Sequence, residues 1–152
     1  MNNIETVNIQ IQKAPWMDTA ADFIDQVLRK LGIDNWEISV VFTNNTYIQE
    51  LNSTYRDIDS PTDILSFSQL EGEFSQAAIS SNDTVFAGDI IISLEKAESQ
   101  AKKAGISLNE EMKRLLIHGI LHLQGMDHPE ENSQMLTMQE DILKNFMEET
   151  VI

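Results

Sequence analysis

The stretch LLIHGILHLQG, residues 115–125, decides the fold because it predicts a helix buried on nearly every side. Its leucines and isoleucines fall all round a helical wheel, which is typical of a helix in a protein core. Upstream, Ser107 and Glu110 form a capping box, and downstream Gly125 suits a left-handed helix end. We therefore predict a core helix from Ser107 to about Gln124.

The chain's three histidines all lie in or just after this helix, at His118, His122 and His128. Residues four apart on a helix differ by about 40° in azimuth and one turn in height, so both rings can reach one point. Gly125 lets the chain turn back, which brings His128 to the same point. Three imidazoles are the ligand set of an open zinc site with a fourth position for water. The alternative is that they are core or turn histidines with hydrogen-bond partners.

The residue after the first histidine is Gly119, where a zinc protease of the His-Glu-x-x-His type has its general base. Peptidase activity is therefore disfavoured, although metal binding is not. We expect Gly119 to make room beside the metal for a backbone or a substrate. Asp127 is a candidate to orient a histidine or accept a proton, with a simple turn aspartate as the alternative. For Glu111 we expect a solvated or capping role.

Around this helix the hydrophobic pattern predicts a single α+β domain, residues 1–152, with a sheet of about four strands and helices packed on it. The predicted strands are 7–12, 36–42, 64–67 and 86–93. The other predicted helices are 16–31, a short one from Asn44 or Asn45 to about 51, one after Ser93, and 131–148. Residues 52–63 and 69–84 are predicted to be loops.

The amino-acid composition excludes several classes of protein. The chain has 152 residues, 41% of them hydrophobic, which is enough for a core. It has no cysteine, which excludes disulfides, thiolate zinc sites and cysteine nucleophiles. No apolar stretch is long enough to span a bilayer. The net charge of −15 argues against a nucleic-acid binder, because contacts to phosphates need lysine and arginine. We expect solvated helix faces for the basic residues of the second half: Lys96, Lys102, Lys103, Lys113 and Arg114.

Arg56 stands alone in the polar segment 52–63. A guanidinium can contact a phosphate through two parallel N–H groups. The alternative for a lone arginine is an ordinary salt bridge.

Together these motifs resemble the YbeY family of bacterial metal-dependent endoribonucleases. The histidine segment, residues 118–128, follows the family pattern H-G-x-L-H-L-x-G-[YF]-D-H, with Met126 at the aromatic position. Supporting matches are Leu51-Asn52, Tyr55-Arg56, Gly88-Asp89-Ile90 and residues 61–67, PTDILSF. One departure is Asp57-Ile58, which replaces the family's frequent Gly-Lys.

The resemblance implies a zinc-protease-like α+β fold whose metal helix packs on a mixed sheet. It implies one Zn²⁺, or another divalent transition metal, held by His118, His122 and His128, with Arg56 important for activity. It implies cleavage of single-stranded RNA in small-subunit ribosomal RNA maturation and ribosome quality control, in the cytoplasm. The expected partners are ribosomal RNA and either ribosomal proteins or small-subunit particles, with no membrane and no DNA. Asp127 is the candidate proton acceptor. Two alternatives stay open: a non-catalytic ribosome-assembly factor with a structural metal, and another zinc hydrolase such as a peptidase.

Overall fold

The computed structural model describes residues 1–70, 84–126 and 132–152, apart from the side chains of residues 132 and 133. These ranges confirm the α+β class, with four strands in one sheet and five helices. The elements in chain order are β1 (Asn3–Asn8), α1 (Trp16–Lys30), β2 (Trp36–Thr43), α2 (Asn45–Arg56), β3 (Ile64–Ser68), β4 (Val85–Ser93), α3 (Leu94–Ala104), α4 (Leu108–Leu123) and α5 (Asn132–Asn145). Among the described helices none is both long and apolar enough to cross a membrane.

The sheet is mixed, with strand order β1-β2-β4-β3. Strands β1, β2 and β4 are parallel, and β3 runs antiparallel to β4 at the end of the described sheet. Alternation along β4 divides its side chains between the two faces. Ile90 and Ile92 join the main core with α1 and α4, whereas Ile91 joins a smaller cluster with Leu65 and Ile48 of α2. The core helix α4 and the helix α2 therefore lie on opposite faces.

Two glycines allow α4 to lie close to β3 and β4. A Cβ atom on Gly119 would lie 2.9 Å from Ile90 Cδ1 and 3.2 Å from Ile64 Cδ1, so this position faces the sheet. Gly88 has a φ of +145°, and a Cβ there would lie 2.1 Å from the carbonyl oxygen of Phe67. The expectation that Gly119 makes room for a backbone or a substrate was wrong, because sheet side chains fill that space. A glutamate at this position would require the same side chains to shift.

The predicted ends of α4 are confirmed. Ser107 Oγ accepts a hydrogen bond from the Glu110 amide at 3.0 Å. At the other end Gly125 has a φ of +95°, and the amide of Met126 donates to the carbonyl oxygen of Leu121. This pair of features is the Schellman end of a helix. It ends the helix directly after His122 and turns the chain back at Gly125.

Two predicted boundaries were wrong. The first strand spans Asn3–Asn8 rather than 7–12, because its pairing with β2 stops before Gln10, whose φ is +60°. Helix α2 continues to Arg56, so part of the predicted loop 52–63 is helical. Its polar residues are satisfied locally: the buried Asn52 donates to the carbonyl oxygen of Ser60. Asp57 then ends the helix in the left-handed conformation.

Lys113 is not part of a solvated helix face, contrary to expectation. Its side chain is buried, and its Nζ donates to the carbonyl oxygens of Phe146, Met147 and Glu149 at 2.9–3.2 Å. Those carbonyls follow the C-terminal end of α5, where a cation is favoured. Lys113 therefore fixes α5 against α4.

Candidate active site

The two histidines of α4 face the same point, as their spacing predicts. The Nε2 atoms of His118 and His122 lie 2.9 Å apart, and their rings meet edge to face with centroids 4.5 Å apart. Both side chains are partly exposed on an otherwise buried helix. Two imidazole nitrogens on one tetrahedral zinc ion lie about 3.3 Å apart, given Zn–N bonds of about 2.0 Å. The pair is therefore close to the separation that a shared cation requires.

Gln139 of α5 sets the orientation of His118. Its Oε1 lies 2.7 Å from His118 Nδ1, and its side chain is 5% exposed. The amide orientation follows from Gln139 Nε2, which donates to Glu140 Oε2 at 3.4 Å. Oε1 therefore accepts a hydrogen bond from His118 Nδ1, which leaves the Nε2 of His118 as the electron-pair donor. Metal-binding histidines are typically held through their second nitrogen in this way.

Arg114 binds Glu140, the residue that accepts the hydrogen bond from Gln139. Its Nε and Nη2 donate to the two carboxylate oxygens of Glu140 at 3.0 and 2.9 Å. The hydrogen bond from Arg114 lowers the pKa of Glu140, and the same contact raises the pKa of Arg114. The expected solvated role of Arg114 was therefore wrong. Its guanidinium instead fixes the side chain of Glu140, which follows Gln139 in the chain.

Arg56 and the histidine pair line one small cavity. This space of about 70 Å³ is bounded by Arg56 at the end of α2, Ile64, Leu65 and Ser66 of β3, and both histidines. Arg56 Nη2 donates to the carbonyl oxygen of Ser66 at 3.2 Å, and its guanidinium lies 6.0 Å from the centre of the Phe67 ring. The described residues give it no acidic partner, so the salt-bridge alternative is not what the structure shows.

Glu111 is buried rather than solvated. Only 7% of the residue is exposed, two turns before His118 on the same helix. Burial raises the pKa of its carboxyl group, and the nearby charge of Asp63 adds to that effect while Arg114 opposes it. Sequence reasoning missed this burial because the residue follows a helix N-terminus, where acidic side chains are common on the surface.

Asp127 and His128 lie outside the described residues. Within the parts of the chain that the structure describes, no group of three or more histidine, cysteine, aspartate or glutamate side chains is placed to hold a metal ion. The described portion thus contributes two candidate ligands, His118 and His122. The roles of Asp127 and His128 stay predictions.

Comparison with known proteins places these features in a wider context. A family model described as Endoribonuclease YbeY matches residues 1–147. An Endoribonuclease YbeY of Treponema denticola is 47% identical over 128 residues, which cover 82% of this chain and 80% of the relative. The one from Treponema pallidum is 40% identical, with 94% of this chain and 91% of the relative covered. The solution structure of TM1509 from Thermotoga maritima shares the fold, with a TM-score of 0.64, 24% identity, and coverage of 93% of this chain and 87% of that one.

Proposed function

The chain belongs to the YbeY family of endoribonucleases, and we propose that it hydrolyses single-stranded RNA with the help of a divalent metal in ribosomal RNA maturation. The observation that supports this most is the position of the two Nε2 atoms, 2.9 Å apart, in a cavity shared with Arg56. A metal held by such a pair can activate water, and a guanidinium beside it can stabilise negative charge on the phosphate, so the arrangement suits phosphodiester hydrolysis.

The donor set fits zinc. His118 and His122 offer nitrogen ligands from one helix face, and Gln139 fixes the tautomer that His118 needs. We propose His128 as the third ligand, because the turn at Gly125 directs the chain back after α4. Imidazole also suits nickel and other divalent transition metals. Zinc is the ion we propose, at one per chain, because three imidazoles leave an open position on it.

When bound, such an ion polarises a phosphoryl oxygen and lowers the pKa of a bound water to about 7. The protein's own groups do the rest. The Nη2 of Arg56 is tied to Ser66, and the remaining N–H groups of its guanidinium can donate to the oxygens of a phosphate in the cavity. Negative charge grows on those oxygens during attack, so a fixed guanidinium stabilises the transition state more than the ground state. We propose Asp127 as the proton acceptor or as the group that orients a ligating histidine.

We propose ribosomal RNA as the substrate, ribosomal proteins as partners and the cytoplasm as the location. The net charge of −15 opposes long-range attraction of RNA. A chain of this charge needs local contacts to hold RNA, and it gains from a partner that brings the RNA to it. RNA binding by the protein alone should therefore be weak and sensitive to salt.

The test is cleavage of a structured RNA with single-stranded regions by the purified protein. We expect cleavage that stops with a chelator and returns with added zinc, whereas the His118→Ala variant stays inactive after zinc is added. An exposed-site variant such as Lys103→Ala should behave as the wild type. Cleavage by His118→Ala at the wild-type rate, or wild-type cleavage that persists in chelator, would overturn the proposal.

The same preparation separates the two alternatives. A zinc peptidase would digest casein, but Gly119 stands where its usual glutamate would be. A non-catalytic assembly factor with a structural metal would bind zinc yet cleave no RNA under any metal condition. We expect neither result.

A further inference from the structure

A second cavity lies on the opposite face of the sheet from the histidine pair. This groove has a volume of about 350 Å³ and lies between helix α2 and strands β2, β3 and β4. Its lining residues are Val41, Tyr47, Leu51, Tyr55, Phe67, Gln69, Asp89 and Ile91. Helix α2 covers only part of this face, so the end of the groove beside the last turn of α2 is open.

Aromatic side chains form one wall of the groove. Tyr55 is 66% exposed, although it is large and mostly apolar. Its ring packs edge to face on Phe67 at a centroid distance of 5.4 Å, which holds it at the mouth of the groove. An exposed aromatic ring held in place by a second one is the arrangement on which unpaired nucleobases stack.

Asp89 supplies a polar group on the floor. It lies directly across from Phe67 in the β3–β4 pairing, and it is half-buried. The described residues place no hydrogen-bond donor on its carboxylate, and burial raises its pKa. A carboxylate at this depth faces the groove and can accept a hydrogen bond from a ligand bound there. The exocyclic amino groups of cytosine, adenine and guanine are donors of this kind.

Arg56 connects the groove to the candidate active site. It lines the histidine cavity on one side of β3, and its guanidinium also lies over the Phe67 ring that forms the groove wall on the other side. β3 is the last strand of the described sheet, so a chain that passes Arg56 can cross the sheet edge between the two cavities. Tyr55 and Arg56 are consecutive, which places a stacking surface next to a phosphate-binding group.

We propose that this groove binds an unpaired nucleobase of the RNA substrate, next to the phosphate held by Arg56. The base stacks on Tyr55 and Phe67, and its amino group donates to Asp89. This inference rests on the proposed function, since it names a subsite for the same substrate. It explains how an acidic protein holds RNA, because stacking does not depend on net charge.

The test compares Tyr55→Ala with the wild type in steady-state cleavage of a short single-stranded RNA. Loss of one stacked base should raise KM roughly tenfold, with kcat nearly unchanged. Tyr55→Trp should keep the wild-type KM, and Met147→Ala, which removes another exposed apolar side chain, should have no effect. Asp89→Asn should reduce the preference for a base with an amino group over uracil. A 2-aminopurine base in a 2′-O-methyl oligonucleotide should lose fluorescence on binding the wild type but not Tyr55→Ala.

The outcomes separate this inference from the proposed function. If the wild type cleaves RNA but Tyr55→Ala has the same KM and the same 2-aminopurine quenching, the groove inference is wrong and the nuclease assignment stands. If the wild type cleaves no RNA, the proposed function itself fails.

Discussion

The two sides of strand β3 carry cavities of opposite character. On the α4 side, a space of about 70 Å³ is lined by two histidines whose direction is fixed by a chain of hydrogen bonds through Gln139 and Glu140 to Arg114. On the α2 side, a groove of about 350 Å³ is lined mainly by aromatic and aliphatic side chains. The small cavity suits catalysis, which depends on the orientation of the histidine nitrogens. The large groove suits ligand binding, which depends on contact area.

Arg56 is the residue that both sides share, so its removal should strongly impair cleavage. Arg56→Ala should lower kcat for RNA cleavage by roughly 10²- to 10³-fold, because a fixed donor to the developing negative charge is lost. The bound metal should be unchanged, as Arg56 touches neither histidine in a hydrogen bond. Metal analysis beside the kinetics checks both. Loss of the metal along with activity would assign Arg56 to the structure of the site instead.

Substitution of Gln139 tests whether the fixed orientation of His118 contributes to metal binding. Gln139→Leu should weaken metal affinity by about 10- to 100-fold, since His118 loses the group that fixes its tautomer. Gln134→Leu on the exposed part of the same helix is the matched control. Competition with a chromogenic chelator measures the affinity, and ¹⁵N chemical shifts of His118 report the tautomer. An unchanged tautomer and affinity would show that Gln139 only fills space.

The carboxyl groups of Glu111 and Glu140 should affect the stability of the folded protein with opposite signs. The raised pKa of Glu111 means that the folded state binds a proton more tightly than the unfolded chain. Its ionised form therefore destabilises the fold above about pH 4.5, and Glu111→Gln should raise Tm at pH 7.

Glu140→Gln should have the opposite effect on stability to Glu111→Gln. The pKa of Glu140 is lowered by Arg114, so its stabilising contribution is present at pH 7 and is lost as pH falls below about 4.5. Glu140→Gln should therefore lower Tm at pH 7, modestly because the side chain is partly exposed. Melting curves between pH 4 and pH 7 test both variants, and a shift of the same sign in both would refute this explanation.

The comparison also shows what the sequence could predict. The shared face of His118 and His122 follows from their spacing on a helix. The two ends of that helix follow from Ser107 and Gly125. Gln139 could not be found this way, because its role depends on how α5 docks against α4, 21 residues away. Lys113 was misassigned for the same reason: its hydrogen bonds go to carbonyl oxygens at the far end of α5.

Arg56 shows an intermediate case. Its chemistry was apparent from its residue type, but its place on a helix was not, because polar residues such as Asn52 and Ser53 resemble a loop. The groove on the α2 side was missed altogether. Tyr55, Phe67 and Asp89 come from three elements, and only the strand order β2-β4-β3 brings them together.

The most direct test of the central claim is equilibrium zinc analysis of the wild type and of His118→Ala, His122→Ala and His128→Ala, each with circular dichroism to confirm folding. The wild type should retain about one zinc ion per chain, and each folded variant should lose most of it. A wild type without affinity for zinc or any related divalent ion, or folded variants with full occupancy, would contradict the account.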